Sequence, residues 1–137
     1  MGMKPMNVGL LGIGTVGSGT FTVLLRNAEE ISRRAGRPIN ITAVADKNIE
    51  LAKSVTRGAC RVTDDAFSVV NDPSVDIVIE LIGGTGVAKE LVLKAIHNGK
   101  HVVTANKALL AVHGNEIFTA AQQMRVMVAF EAAVAGG

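Results

Sequence analysis

An apolar segment at residues 6–11 runs directly into Gly12-Ile13-Gly14-Thr15-Val16-Gly17, and a helical pattern follows at once. A strand, a G-x-G-x-x-G loop and an amphipathic helix in that order constrain the fold more than anything else in the chain. Gly12 permits the tight turn, Gly14 admits a pyrophosphate to the backbone, and Gly17 lets the helix lie close to the strand. The free N–H groups at the helix start then face phosphate oxygens. Gly12, Ile13, Gly14, Thr15, Val16 and Gly17 are therefore the first candidate cofactor-binding residues, for NAD or NADP.

The rest of the chain alternates in the same way. Residues 16–35 read as a long helix, with Val16, Thr20, Val23, Leu24, Asn27, Ile31 and Ala35 near one stripe. Glu29–Arg33 and Glu30–Arg34 are expected as i,i+4 pairs on its wet face. Further strands are expected at 39–45, 76–82, 101–104 and 126–130, making five. Short helices are expected near 50–54 and 64–70, and longer ones at 87–98 and 106–124, the last broken at His113-Gly114. Alternating strands and helices predict an α/β fold, a Rossmann-type doubly wound parallel sheet in three layers, α/β/α. The expected strand order is third-second-first-fourth-fifth, with the ligand at the switch point between the first and fourth.

Composition agrees with a doubly covered sheet. Aromatic residues make up only 3% of the chain, with no Trp or Tyr, so the core must be aliphatic. The net charge of +2 is scattered, without basic blocks, which argues against a nucleic-acid partner. Cys60 is the single cysteine, which rules out an intrachain disulfide and agrees with a reducing, cytoplasmic setting. No apolar run approaches the ~20 residues of a membrane helix. Residues 1–5 read as a short leader or an extraneous remnant rather than a signal peptide, and Met6 stands where a myristoylation signal needs Ser or Thr.

Several residues at expected strand ends could carry chemistry. Asp46 closes the second strand, where an acid accepts hydrogen bonds from the adenosine ribose, and Lys47 beside it could meet the 2′-phosphate of NADP. Together they leave the coenzyme open. Gly83 and Gly84 end the third strand and would let backbone lie against a cofactor. Glu80, inside that strand, is a costly residue to bury and has no evident partner. Thr104 and Lys107, in Thr104-Ala105-Asn106-Lys107, end the fourth strand, and the lysine could polarise a carbonyl oxygen. His97, His101 and His113 lack metal-site spacing, and Cys60 reads as a buried or edge thiol.

At this point the chain resembles bacterial homoserine dehydrogenase. The likeness rests on residues 8–17, 76–84, His101-Val102-Val103-Thr104-Ala105-Asn106-Lys107-Ala108-Leu109-Leu110-Ala111, and Phe130-Glu131-Ala132-Ala133-Val134-Ala135-Gly136-Gly137, and is weakest near 48–72. It implies an NAD(P)-dependent oxidoreductase interconverting L-homoserine and L-aspartate 4-semialdehyde, on the route to threonine, methionine and isoleucine. It implies that Lys107 is an active-site residue near the nicotinamide. It also implies a structural sodium ion on Glu131, Val134 and Gly136, the last two through carbonyls. It further implies a dinucleotide domain at 1–130, the start of a substrate-binding and dimerisation region at 131–137, no activity from these 137 residues alone, and a homo-oligomeric parent enzyme. The apolar stretch 126–137 is expected to drive self-association. The alternative reading is a non-catalytic dinucleotide-binding module, such as a redox sensor.

Overall fold

The computed structural model describes residues 4–13, 18–58 and 60–130. Among them, one parallel sheet is built from β1 (Met6–Leu11), β2 (Ile39–Ala45), β3 (Arg61–Thr63), β4 (Ile77–Glu80), β5 (His101–Thr104) and β6 (Val128–Phe130). The order across it is β3-β2-β1-β4-β5-β6. Helices α1 (Ser18–Arg34) and α2 (Ile49–Thr56) cover one face, and α3 (Ala66–Val70), α4 (Val87–His97) and α5 (Lys107–Met124) the other. This is the expected three-layer Rossmann-type fold.

The strands serve both layers by alternation. Val8, Leu10, Ile77, Ile79 and Val103 pack with Leu24, Ala28 and Ile31 of α1. Leu11, Val78 and Val102 pack with Leu91, Ile96, Leu109 and Ile117 of α4 and α5. Right-handed crossovers force this division, because connections running toward β3 and toward β6 must cross on opposite faces.

The expected strand order needs correction. The segment read as the third strand pairs with β1, not outside β2: Val8 lies opposite Ile77 and Leu11 opposite Glu80. The outer place beside β2 belongs to β3, whose three residues contain one apolar side chain, Val62, and so carry no alternation. The switch point therefore falls between β1 and β4. The strand ending at Thr104 lies one place further out.

Three smaller expectations also change. Helix α5 is continuous through His113 and Gly114. The cost of a mid-helix glycine, about 1 kcal/mol, is outweighed by burial of Leu109, Ile117, Ala120 and Ala121 on either side. On α1, Arg33 pairs with Glu30 at 2.7 Å, and Arg34 reaches the Met127 sulfur at 3.4 Å, so the two expected i,i+4 pairs are replaced. Ala28 and Ser32 are buried in the stripe, whereas Ala35 is exposed because the helix ends at Arg34. Val16 lies outside the described residues. No described helix is long and apolar enough to cross a membrane.

Two polar side chains, one buried and one half-buried, fasten the end of the sheet remote from the glycine loop. Lys100 is buried, and its ammonium donates to the carbonyls of Asp72 at 2.6 Å and Val75 at 2.7 Å. His101 Nδ1 accepts the Met127 N–H at 2.9 Å, tying β5 to the segment that leads into β6. An imidazole that accepts at Nδ1 must be neutral there. Burial pushes its pKa down, against the opposing pull of Asp76.

Two predictions follow from this packing. Helix α3 rests on β1 at Gly9, where an added Cβ would collide with the Val69 side chain. Gly9→Ala should cost about 1–3 kcal/mol through overpacking, seen as a thermal midpoint lowered by several degrees; an unchanged midpoint would mean that α3 can shift freely. The second concerns pH. A histidine whose folded pKa is depressed binds more protons when unfolded, so its stabilisation is present above the ordinary value of 6.5 and is lost as pH falls below it. The melting midpoint should fall between about pH 7.5 and about pH 5.5, and His101→Asn, which keeps an acceptor near the Nδ1 position, should flatten that slope.

Candidate functional site

The carboxyl ends of the strands gather on one edge of the sheet, where open α/β folds bind ligands. Gly12 leaves β1 with φ 83°, a conformation that a side chain rarely adopts. Its N–H donates to the Ala45 carbonyl at 2.6 Å, and the next N–H, of Ile13, donates to Asp46 Oδ2 at 2.7 Å. A Cβ at Gly12 would also press on Ile82, at 3.1 Å from its Cγ1. The start of the loop is thus clamped between the ends of β2 and β4. Gly14, Thr15, Val16 and Gly17 lie outside the described residues.

Asp46 stands half-buried at this junction, its other oxygen accepting the Asn48 N–H at 2.8 Å. Beside it opens a cleft of about 520 Å³, walled by Gly12, Asp46, Lys47, Asp64, Asp65 and Phe67, with Ile82, Val87 and Leu91 opposite. The large apolar side chains Phe67, Ile82 and Val87 are exposed there, 38%, 40% and 46% accessible. Asp65 also caps α3, accepting the Phe67 N–H at 3.1 Å. An apolar slot rimmed by carboxylates and one lysine suits a flat base and a sugar bearing hydroxyls. Asp64, Asp65 and Phe67 escaped the sequence reading because β3 did. With β3 recognised, the loop at its carboxyl end falls under the same rule as the others.

Across the switch point lies a second polar group. The Glu80 carboxylate is 2% accessible, and both its oxygens accept hydrogen bonds. Oε2 takes the Gly83 N–H at 2.8 Å, and Oε1 takes the Thr104 hydroxyl at 2.7 Å. The sequence offered no partner for Glu80; the register supplies one, since Glu80 lies opposite Thr104 in the β4–β5 ladder. Thr104 is fully buried, and its Oγ1 also accepts the Asn106 N–H at 3.0 Å. Asn106 caps α5 through the Leu109 N–H and donates from Nδ2 to the Gly84 carbonyl at 2.7 Å.

Gly83 and Gly84 adopt φ 80° and 74°, with open space where side chains would stand. Lys107 opens α5, exposed and without an ion-pair partner among the described residues. It lies at the end of β5 rather than at the switch point itself, the shift that the corrected strand order requires. Glu131, Val134 and Gly136, the expected sodium ligands, lie outside the described residues. Among the described residues no cluster of three or more His, Cys, Asp or Glu could hold a metal ion. Cys60 packs at the edge of the α1–α2 core, and burial raises its thiol pKa, which leaves it less nucleophilic.

Comparison with known proteins agrees with this geometry. Residues 12–131 match the family model described as homoserine dehydrogenase, NAD binding domain. The chain is 75% identical to a homoserine dehydrogenase of Methylobacillus glycogenes over 109 residues, covering 80% of this chain and 26% of that protein. It is 61% identical to one from Pseudomonas aeruginosa, covering 98% of this chain and 31% of the relative. The crystal structure of a homoserine dehydrogenase from Thiobacillus denitrificans superposes with a TM-score of 0.79 at 61% identity, over 96% of this chain and 30% of that one. The chain thus spans about a third or less of the length of the curated relatives it matches.

Proposed function

The chain belongs to the family of homoserine dehydrogenase NAD-binding domains, and from that premise we propose that it holds NAD(P) for the interconversion of L-homoserine and L-aspartate 4-semialdehyde. The observation that carries the reading is the clamped turn at Gly12, held by Ala45 and Asp46 at the β1–β4 switch point and opening beside the Asp46 cleft. A dinucleotide bound there crosses the sheet edge, one nucleotide over each half. The adenosine takes the cleft over β2 and β3. The nicotinamide takes the other side, over Gly83, Gly84 and the start of α5.

When bound, the nicotinamide supplies or accepts the hydride. The chain's own contribution is position and charge. Gly83 and Gly84 leave room for the ring against bare backbone. The Lys107 ammonium stands where it stabilises negative charge on the substrate oxygen, as the aldehyde and alcohol forms exchange. In this reading the 137 residues, about a third or less of the relatives' length, bind coenzyme but do not turn over homoserine by themselves. The parent enzyme is a cytoplasmic homo-oligomer, and a sodium ion on Glu131, Val134 and Gly136 is part of the same proposal. The outer edge of β6 has no strand partner among the described residues, which favours association there.

The adenosine side favours NAD over NADP. Asp46, Asp64 and Asp65 outnumber Lys47 around the cleft, and a 2′-phosphate would meet their charge. Two measurements test these statements. The complete enzyme containing this domain should reduce coenzyme only when homoserine is present; absence of homoserine-dependent reduction overturns the activity. Titration of Asp46→Ala with both coenzymes should improve NADP relative to NAD by about tenfold, the size of one close charge repulsion. An unchanged ratio would show that Asp46 does not face the ribose.

A further inference from the structure

We propose that Glu80 is the positioning residue of the nicotinamide half: its buried carboxylate fixes the Gly83–Gly84 backbone and the first turn of α5 against which the nicotinamide lies. This rests on the coenzyme reading above and adds to it a residue that contacts neither coenzyme nor substrate.

The bonds form a closed circuit. Glu80 Oε2 holds the Gly83 N–H, and the chain continues to Gly84. The Gly84 carbonyl accepts from Asn106, the Asn106 N–H donates to Thr104 Oγ1, and the Thr104 hydroxyl returns to Glu80 Oε1. Every member sits at the carboxyl end of β4 or β5, on the edge where the ligand binds. Two successive glycines in left-handed conformations have many alternatives open to them. With open space where each Cβ would stand, side-chain packing cannot select the conformation, and the hydrogen bonds do.

A carboxylate is an expensive way to join two strands. Elsewhere in the core, the β4 residues Ile77, Val78 and Ile79 do this with aliphatic side chains. Burying a carboxylate is tolerable only where its bonds are made; here one is made to the loop at Gly83 and the other to Thr104, the last residue of β5, whose oxygen in turn receives the N–H of the α5 cap Asn106. The other buried charge of the same strand pair, Lys100, bonds carbonyls of the segment before β4, at the opposite end, and serves the fold. Lys107 follows Asn106 directly, so the circuit also sets where the ammonium begins its reach.

The test compares binding of NAD+ with binding of ADP-ribose, which lacks the nicotinamide, to the 137-residue chain and its variants. The unaltered chain should bind NAD+ more tightly than ADP-ribose. Glu80→Gln keeps the shape but can accept only one of the two bonds: with its oxygen on the Gly83 N–H, its NH2 faces Thr104, and the hydroxyl proton must turn away. It should weaken NAD+ by about tenfold, the cost of one broken buried bond, while ADP-ribose changes by less than about twofold. Asn106→Ser keeps a helix cap but cannot reach Gly84. It should show the same selectivity, and it carries the test if Glu80→Gln does not fold. Thr104→Ser, which retains the hydroxyl, should bind like the unaltered chain. Equal weakening of both ligands makes Glu80 a residue of the fold alone and overturns the proposal, as does no change in either. Equal affinity of the unaltered chain for both ligands overturns it too, by removing the nicotinamide from these loops. Binding of neither ligand by the unaltered chain overturns the coenzyme reading itself.

Discussion

A parallel sheet must be covered on both faces, and in this chain that constraint sets nearly everything else. Hydrogen bonds between parallel strands leave side chains on two sides, each of which needs a helix layer. With no Trp, no Tyr and few Phe, the layers approach on Val, Ile, Leu and Ala. Small volumes demand close contact. Gly9 is the sharpest instance: α3 rests on β1 through Val69, with no room for a methyl group. That contact brings the short α3 over the centre of the sheet, so that Phe67 and Asp65 come to stand beside the end of β2. The cleft proposed for the adenosine is thus a consequence of how tightly an aliphatic core must close.

The polar residues divide between the two ends of the strands. At the amino ends, Lys100 and His101 satisfy backbone groups and are turned inward. At the carboxyl ends, Asp46 and Glu80 also bond backbone N–H groups, those of Ile13 and Gly83, each the start of a glycine-bearing loop. The two carboxylates stand on either side of the switch point and do the same mechanical work for the two halves of the site. They differ in exposure. Asp46 is half-buried and forms part of the cleft wall, whereas Glu80 is closed off from solvent. One is open to a ligand as well as holding a loop; the other meets only the Gly83 N–H and the Thr104 hydroxyl.

What the sequence displayed, and what it hid, follows from element length. Residues 6–11 and 39–45 form strands with the expected bounds, because six- and seven-residue runs made mostly of apolar and β-branched residues between turn signals are hard to read otherwise. Arg61–Thr63 is too short for any periodicity, and missing it displaced the strand order and moved the switch point by one strand. Gly114 has the local propensity of a helix break, and the burial of Leu109 and Ile117 on either side overrides it. The glycine loop, Asp46 and Thr104–Lys107 stood out because their residue types are unusual at strand ends. The link from Glu80 to Thr104 is a matter of register, and register between parallel strands is not written in either strand alone.

On the coenzyme reading proposed above, the double role of Asp46 limits how coenzyme preference can change in this fold. A carboxylate that only faced a ribose could be exchanged freely for a neutral residue. Here the same carboxylate holds the Ile13 N–H and, through Asn48, the turn after β2. Removing it lifts the repulsion toward a 2′-phosphate but also releases the first turn of the phosphate loop. Affinity for either coenzyme then declines while their ratio moves. Asp64 is differently placed: it is exposed on the same cleft and bonds no backbone group among the described residues. Charge can therefore be altered at Asp64 with the loop intact, so coenzyme preference and loop geometry are separable there and inseparable at Asp46.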